Sequence, residues 1–436
     1  MKPGVQVAPQ LALMQIHNVK ATRPLLAVSF FAADVQAGVG PFLGIYLQSH
    51  GWTTDRIGTV LTIGGIVGML VTTPAGALVD ATSRRRTVVA AASALSIVSA
   101  IIIWLFHGFW SVTLSQIATA IAGATMGPAL AGLTLGIVGR QNFDRQYGRN
   151  QVANHAGNIA AAALSGWLGA WLGMPYIFAL SAAFGAGCIL TALWIPPGSV
   201  HRHYARGIAK DDADDASDIR ADALRVLLRN RSLLVLSAAL AAFNLGNSAM
   251  LPLYSLAVAS THAADPSHVT AANIVISQIV MLVAAAYASR AIRRFGFWWI
   301  ILATLATLPL RAVTAAFVPP AWGIVPVQVF DGIGAGFQSV AVPALVVHLL
   351  HGSGRVNLGQ GAVLGVEAAG ACLSPMLGGW IAHRYGFPAA FVALGSLSVV
   401  SLAIWVGYGQ RVREALDTRR DELGKLADVG SSTLLP

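Results

Sequence analysis

Three carboxylates stand inside long apolar runs of the chain: Asp34, Asp331 and Glu367. An ionised group at such a position is costly to keep away from water. An acid placed there therefore faces a polar cavity, pairs with a neighbour, or takes up and releases a proton. Proton coupling is the chemistry these three residues could do, and a hydrogen-bonded structural acid is the plainer reading of each. Asp34 lies in Phe30-Phe31-Ala-Ala-Asp34-Val-Gln36-Ala-Gly38-Val-Gly40-Pro41. Asp34, Gly38 and Pro41 share a helical face, and the proline is expected to bend the segment. Glu367 reads equally as a proton carrier or as a lock between packed helices. Arg311 is the one base within an apolar run. It could receive an anion, but a charge pair or a snorkelling side chain fits it better.

Amides cluster near these acids. Gln151, Asn154 and Asn158 share one helical face, with His155 beside them, while Asn244, Asn247, Gln278 and Gln328 add further donors and acceptors. Together they suit a polar-lined cavity for a ligand with hydroxyl, amide or carboxyl groups, although any one alone reads as a helix–helix hydrogen bond. His155 could titrate near neutral pH or be structural. No catalytic set accompanies them. There is no phosphate-binding P-loop, no HExxH spacing, no GxSxG elbow, and no pairing of histidines with carboxylates on one helix. Neither an enzyme nor a bound cofactor or metal is expected. Cys188 and Cys372 read as small packing residues.

The elements that must position these residues are membrane helices. Apolar residues make up 56% of the 436 residues and charged residues only 11%, far below the roughly one quarter of a soluble globule. The charge is clumped, and between the clumps lie apolar stretches long enough to cross a hydrocarbon core of ~30 Å. Twelve spans are predicted, at 24–48, 56–79, 87–107, 109–138, 149–171, 175–196, 231–258, 268–289, 297–317, 321–350, 357–383 and 388–408. The long connection 197–230 divides them six and six. It carries Pro196-Pro197-Gly198, a basic run and the acidic residues Asp211, Asp212, Asp214, Asp215 and Asp218. Its end, with Leu224, Leu227 and Leu228 on one face and Arg225, Arg229 and Arg231 between them, predicts an interfacial amphipathic helix. The domains expected are a six-helix bundle over 1–196, this cytoplasmic linker, a second bundle over 231–408 and a charged tail over 409–436. No removable signal peptide is expected in the first residues.

Orientation follows from Lys and Arg, which resist translocation. With the N-terminus inside, every Lys and Arg but Arg56, Arg311 and Arg384 falls on a cytoplasmic segment. Both termini are expected in the cytoplasm and the chain in the inner membrane. The net charge of +10 is thereby explained without nucleic acid, whose recognition would need an aromatic-interleaved basic face.

Sliding the chain against itself gives a repeat at an offset of 213 residues. Gly173-Met-Pro175-Tyr-Ile-Phe178 meets Gly386-Phe-Pro388-Ala-Ala-Phe391, Ser165-Gly166-Trp167 meets Gly378-Gly379-Trp380, and Gly148 and Gly157 meet Gly361 and Gly370. Two halves of equal topology imply a pseudo-twofold axis along the membrane normal and a substrate site at the midplane between them. The offset also places Glu367 opposite Asn154 and Arg293 opposite Asp80.

Two stretches carry a family resemblance. Gly76-Ala-Leu-Val-Asp80-Ala-Thr-Ser83-Arg84-Arg85-Arg86 resembles motif A of the major facilitator superfamily, roughly G-x-x-x-D-R/K-x-G-R/K-R/K, with Ala81 and Ser83 departing from it. A small residue at Gly76 would allow close helix approach, and the resemblance makes Asp80 and Arg84 part of a cytoplasmic gate. A positive anchor alone is the simpler reading. Gly361-x8-Gly370-x3-Ser374-Pro375-x2-Gly378-Gly379 is similar to the superfamily's motif C, a tight-packing motif that antiporters carry in segment five. Its better copy stands in segment eleven, which supports duplication more than antiport. The resemblance implies an all-α fold of twelve transmembrane helices in two pseudo-symmetric six-helix bundles. It further implies a secondary active transporter for a small organic solute, working by alternating access, proton-coupled, exporting and monomeric. Uptake of a metabolite or metal chelate is the alternative direction, and a receptor or scaffold without net flux is the alternative class.

Overall fold

A computed structural model of the chain describes residues 7–37, 40–82, 84–196, 228, 230–261, 265–318, 320–350 and 356–408. The linker, its expected amphipathic helix and the charged tail lie outside the described residues, apart from Leu228 and Asn230. Every regular element among the described residues is an α-helix. The first six are α1 (Val7–Ala37), α2 (Gly40–Ser49), α3 (Thr54–Ala81), α4 (Arg85–Leu105), α5 (Phe109–Trp171) and α6 (Pro175–Trp194). Then come α7 (Arg231–Asn247), α8 (Met250–Ser260), α9 (Pro266–Phe295), α10 (Phe297–Phe317), α11 (Pro320–Leu350) and α12 (Val356–Tyr385). The last is α13 (Phe387–Tyr408).

Eleven of the spans are long and apolar enough to cross a membrane. The predicted segment 149–171 is also helical, as the second arm of α5. It is less apolar than the others because Asn150, Gln151, Asn154, His155 and Asn158 crowd into it. Membrane solvent explains the surface. Large apolar side chains such as Leu190, Val283 and Phe317 are exposed, and so are Trp104, Trp110, Trp171, Trp194, Trp299 and Trp322 near helix ends. Those tryptophans sit where an amphipathic ring meets the lipid headgroups.

Two departures from the predicted spans bear on function. The seventh span is two helices, broken at Ser248 and Ala249 between α7 and α8. Conversely, no loop separates the fourth span from the fifth. The chain stays helical through 140–148 and leaves helical geometry only at Gly139, with φ 70° and ψ 175°. A side chain there would be strained, so glycine is the residue the turn needs. The Asn150 amide then donates to the Thr134 hydroxyl at 2.8 Å. These groups would be ~24 Å apart along a straight helix, so the chain doubles back at this turn.

The chain divides into two compact units. One comprises Met1–Ala216 with Ser255–Val275, and the other Ser217–Tyr254 with Ile276–Pro436. The second part of α8 and the first part of α9 thus belong with the N-terminal helices. The core of the first unit joins Leu25, Val28 and Ala32 of α1 to Val79, Val89, Met126, Leu133 and Cys188 of α3 to α6. In the second unit Gly332 and Gly336 of α11 press against α9, where an added Cβ would meet Ser277 and Val280 or Met281 and Ala284. Small residues that let backbones approach are how helices gain contact where the hydrophobic effect is absent.

The 213-residue repeat is visible in backbone geometry. A Cβ on Gly157 would collide with the Phe30 carbonyl of α1, and one on Gly370 with the Ala241 carbonyl of α7. Gly173 and Gly386 both take positive φ, 102° and 84°. Each stands two residues before a proline whose Cδ lies 3.7 or 3.9 Å from the would-be Cβ. The same local joint is made twice.

Candidate functional site

In the second unit a polar network ties four helices together. Arg311 of α10 is 1% exposed, and its Nη1 donates to Asp331 Oδ1 of α11 at 2.5 Å. The same nitrogen donates to Asn247 Oδ1 at 2.8 Å. The Ser277 hydroxyl of α9 donates to the other Asp331 oxygen at 2.6 Å. Asn247 is the last residue of α7, so the network grips that span at its break. The charge pair expected for Arg311 is present, and a buried guanidinium with a carboxylate partner avoids the cost of an isolated charge. One link further along the same break, the Ala249 N–H donates to Ser374 Oγ of α12 at 2.9 Å. Ser374 stands where motif C has a glycine. Its hydroxyl supplies a partner to a backbone donor freed when the helix breaks.

Glu367 of α12 is partly buried and held loosely. Gln338 Nε2 donates to its Oε2 at 3.3 Å, while Oε1 is buried with no hydrogen-bond partner among the described residues. Asn244 turns to its own helix, donating to the Leu240 carbonyl. Gln328 is fully buried in α11, and Gln278 is half-buried in α9.

In the first unit Asp34 is 8% exposed and accepts from the Ser181 hydroxyl of α6 at 2.5 Å. Phe30, Phe31 and Phe184 form an aromatic trio beside it, with ring centroids 5.3 to 5.9 Å apart. No cation bonds Asp34 among the described residues. On the other side of α1, Asn154 donates to the Ser29 carbonyl at 3.2 Å and to Gln36 Oε1 at 3.3 Å. Asn158 reaches back to Asn154 at 3.5 Å. The predicted amide face of the fifth span is therefore a ladder against α1. Gln151 is exposed and His155 half-buried on the same arm.

At the connection between α3 and α4, Arg84 is exposed and precedes the first residue of α4. The side chain of Asp80 lies outside the described residues. Gly76 has no described atom within 4 Å of a would-be Cβ, so close approach in this conformation is made elsewhere. Its arginine neighbours are the ones engaged. Arg85 is buried and donates to the Gly132 carbonyl at 2.7 Å. Arg86 donates to the Ala192 and Leu193 carbonyls at 3.1 and 2.8 Å. A cation on the last carbonyls of α6 satisfies orphan acceptors and complements the helix dipole.

Of the motif C residues, Gly370 touches α7, and a Cβ on Gly378 would meet Leu253 at 2.6 Å. Gly379 is buried beside it, Pro375 lies inside α12, and Gly361 packs against nothing within 4 Å. The sequence singled out the acids but not the groups that hold them: Ser181, Ser277 and Gln338. Serine is common in helices and no periodicity marks it. Ser374 is marked in the sequence only as the departure from glycine in the motif C resemblance.

Comparison with known proteins agrees with this arrangement. The family model described as Major Facilitator Superfamily matches residues 25–357. Two Mycobacterium tuberculosis proteins, from strains CDC 1551 / Oshkosh and H37Rv, are each called an uncharacterized MFS-type transporter. Both are 36% identical to the chain over 388 residues, covering 89% of it and 92% of their own length. The solved structure of the nucleoside transporter NupG has TM-score 0.73 at 14% identity, covering 90% of this chain and 98% of that one. A bacterial homolog of the human lysosomal transporter Spinster, inward-facing and unoccupied, has TM-score 0.68 at 13% identity, covering 92% and 98%. With this family match and these relatives, and with its duplicated glycine joints, the chain belongs to the major facilitator superfamily, a multi-pass membrane transporter and not an enzyme.

Proposed function

We propose that this transporter is a proton-coupled exporter of a small organic solute, working by alternating access in the inner membrane with both termini in the cytoplasm. The observation that carries the coupling is the setting of Asp34. Its partner is a hydroxyl, which can donate to a carboxylate or accept from a carboxylic acid. The Asp34–Ser181 bond therefore survives either protonation state, and the proton can come and go without repacking α1 on α6. Asp331 is differently placed, since a proton there would break the Arg311 pair. Glu367, with one loose amide, is the second candidate carrier.

Export is favoured because the half-buried Phe30 and Phe31 stand four and three positions before Asp34 on α1, an apolar setting suited to a loosely specific solute. Uptake of a metabolite or metal chelate is the alternative direction. The two six-helix halves 1–196 and 231–408 would work as a monomer, with Asp80 and Arg84 at the cytoplasmic gate.

Purified protein in liposomes under an imposed proton gradient tests this reading. Solute flux should follow the gradient in wild type and collapse in Asp34→Asn, with Glu367→Gln as the comparison. Gradient-driven flux unchanged in Asp34→Asn overturns the assignment. The gradient polarity that drives accumulation inside the liposome separates export from uptake.

A further inference from the structure

The proton chemistry proposed above uses acids within the membrane. A different cluster of titratable groups lies at the end of the first unit opposite Arg84–Arg86, where α2 turns into α3 and α4 turns into α5. The His50 and His107 rings are stacked, with centroids 4.3 Å apart and planes 9° apart. Tyr46 Oη and His107 Nε2 are 2.5 Å apart, and His50 Nδ1 lies 2.8 Å from the Tyr46 carbonyl. The Ser49 hydroxyl is 3.3 Å from that same nitrogen. The Trp52 indole N–H donates to the His107 carbonyl at 3.2 Å, and its ring stacks on Phe109. Tyr46 is 3% exposed and packs edge-on against Phe178 of α6.

The cluster draws together several elements. Tyr46 comes from α2 and His50 follows it directly, Trp52 is in the turn before α3, His107 and Phe109 are at the α4–α5 turn, and Phe178 is in α6. The titratable groups facing the pair are Tyr46 and the two imidazoles themselves. The charged residues Asp55 and Arg56 are in the first turn of α3, and no carboxylate bonds either ring among the described residues.

We propose that the stacked His50–His107 pair is a proton-binding clasp that holds the ends of α2, α4 and α6 together when neutral and releases them when both rings are charged. Two neutral imidazoles stack without cost, and one charged ring over a neutral face is attractive. A second proton sets like charges face to face. The Tyr46 hydroxyl can reverse and accept from a protonated His107 Nε2, so it is the like-charge stack, not that bond, that opens the clasp. Burial first, and the neighbouring His50 second, hold the His107 imidazole below its usual range. The sign follows. A base whose pKa is depressed on folding stabilises the closed form above the ordinary imidazole range, and that stability is lost as pH falls toward the depressed value. The clasp therefore opens on the acid side. It is independent of Asp34 and stands whether or not transport proves proton-coupled.

Hydrogen–deuterium exchange of the full chain in lipid nanodiscs tests it, reading peptides over 46–52 and 104–110 at about pH 7.5 and about pH 5. Corrected for intrinsic rates, wild type should lose roughly tenfold protection in both peptides at the acid pH. His50→Gln and His50→Phe, at an exposed position, should keep neutral protection and show no acid loss. Equal protection of wild type at both pH values would overturn the clasp. So would an acid loss that persists in either variant. If both variants are already unprotected at neutral pH, the pair is a fixed staple and the proposal fails.

Discussion

Neutralising Asp331 is the most informative single perturbation of the second unit. At the 2.5 Å separation of Arg311 and Asp331, unit charges attract by about 7 kcal/mol at an effective dielectric of 20. Desolvating the two ions takes back several kcal/mol each, so the pair as a whole contributes little beyond well-packed apolar residues. Removing one charge is another matter. Arg311 is 1% exposed, and leaving it uncompensated costs ~3–5 kcal/mol. An asparagine at 331 can still accept a hydrogen bond and recover ~1 kcal/mol. The net expectation for Asp331→Asn is a loss of roughly 2–4 kcal/mol. The double variant Arg311→Leu with Asp331→Leu should return to within ~1 kcal/mol of wild type, a coupling that only direct partners show. Equilibrium unfolding in mixed micelles, followed by loss of helical signal across all four proteins, measures each term. The reasoning is refuted if Asp331→Asn is as stable as wild type, or if the double variant is no better than the worse single one. Should the stable double variant also keep transport, the pair serves the fold and not the coupling.

Further expectations follow from single contacts. Ser181→Ala should slow gradient-driven flux less than Asp34→Asn does, because the acid remains and only its orienting hydroxyl is lost; equal loss would assign the hydroxyl a larger part. Ser374→Ala leaves the buried Ala249 N–H without its partner and should cost ~1–3 kcal/mol, read as unfolding free energy and faster exchange at 249. Gly157→Ala and Gly370→Ala each force a Cβ onto a facing carbonyl and should cost a similar ~1–3 kcal/mol; a tolerated substitution at one and not the other would deny that the two joints are equivalent. Arg86→Gln should fray the end of α6 by ~0.5–1 kcal/mol, visible as faster exchange near 192–194 with the rest of the helix unchanged.

Much of the fold was legible because lipid imposes simple rules. Span length, charge clumping and the 213-residue register set the helix order, and the paired geometry of Gly173 with Gly386 bears the register out. The break in the seventh span has a local signal in Pro252, which cannot donate to the Ser248 carbonyl four residues back and clashes with it. What the sequence does not display is the partner of the freed Ala249 N–H, since Ser374 lies 125 residues away. The same limit governs the polar groups. Arg311 could be expected to find a charge, but its partners lie 20 and 64 residues off on other helices. His50 and His107 drew no notice, since each is a lone histidine at a helix end until the fold stacks them. The α5 arm 149–171 shows the reverse. Its polar residues suit a cavity lining by type and spacing, yet Asn154 spends its amide on α1 and Asn158 on Asn154.

The turn at Gly139 carries a consequence for how the protein is made. The arm after it is the more polar, with Asn150, Gln151, Asn154, His155 and Asn158, whereas the arm before it, Phe109–Gly139, is long and apolar. During synthesis an isolated polar segment partitions poorly into lipid. Joined through one residue to a strongly apolar partner, and bonded to it by Asn150 and Thr134, it can enter as half of a preformed helical hairpin. The weak segment is then carried in by its neighbour, and the membrane accepts the polar residues that a transport pathway needs. Biogenesis of the fifth span thus depends on the fourth, and a bulky residue at 139 would be felt first as failed insertion.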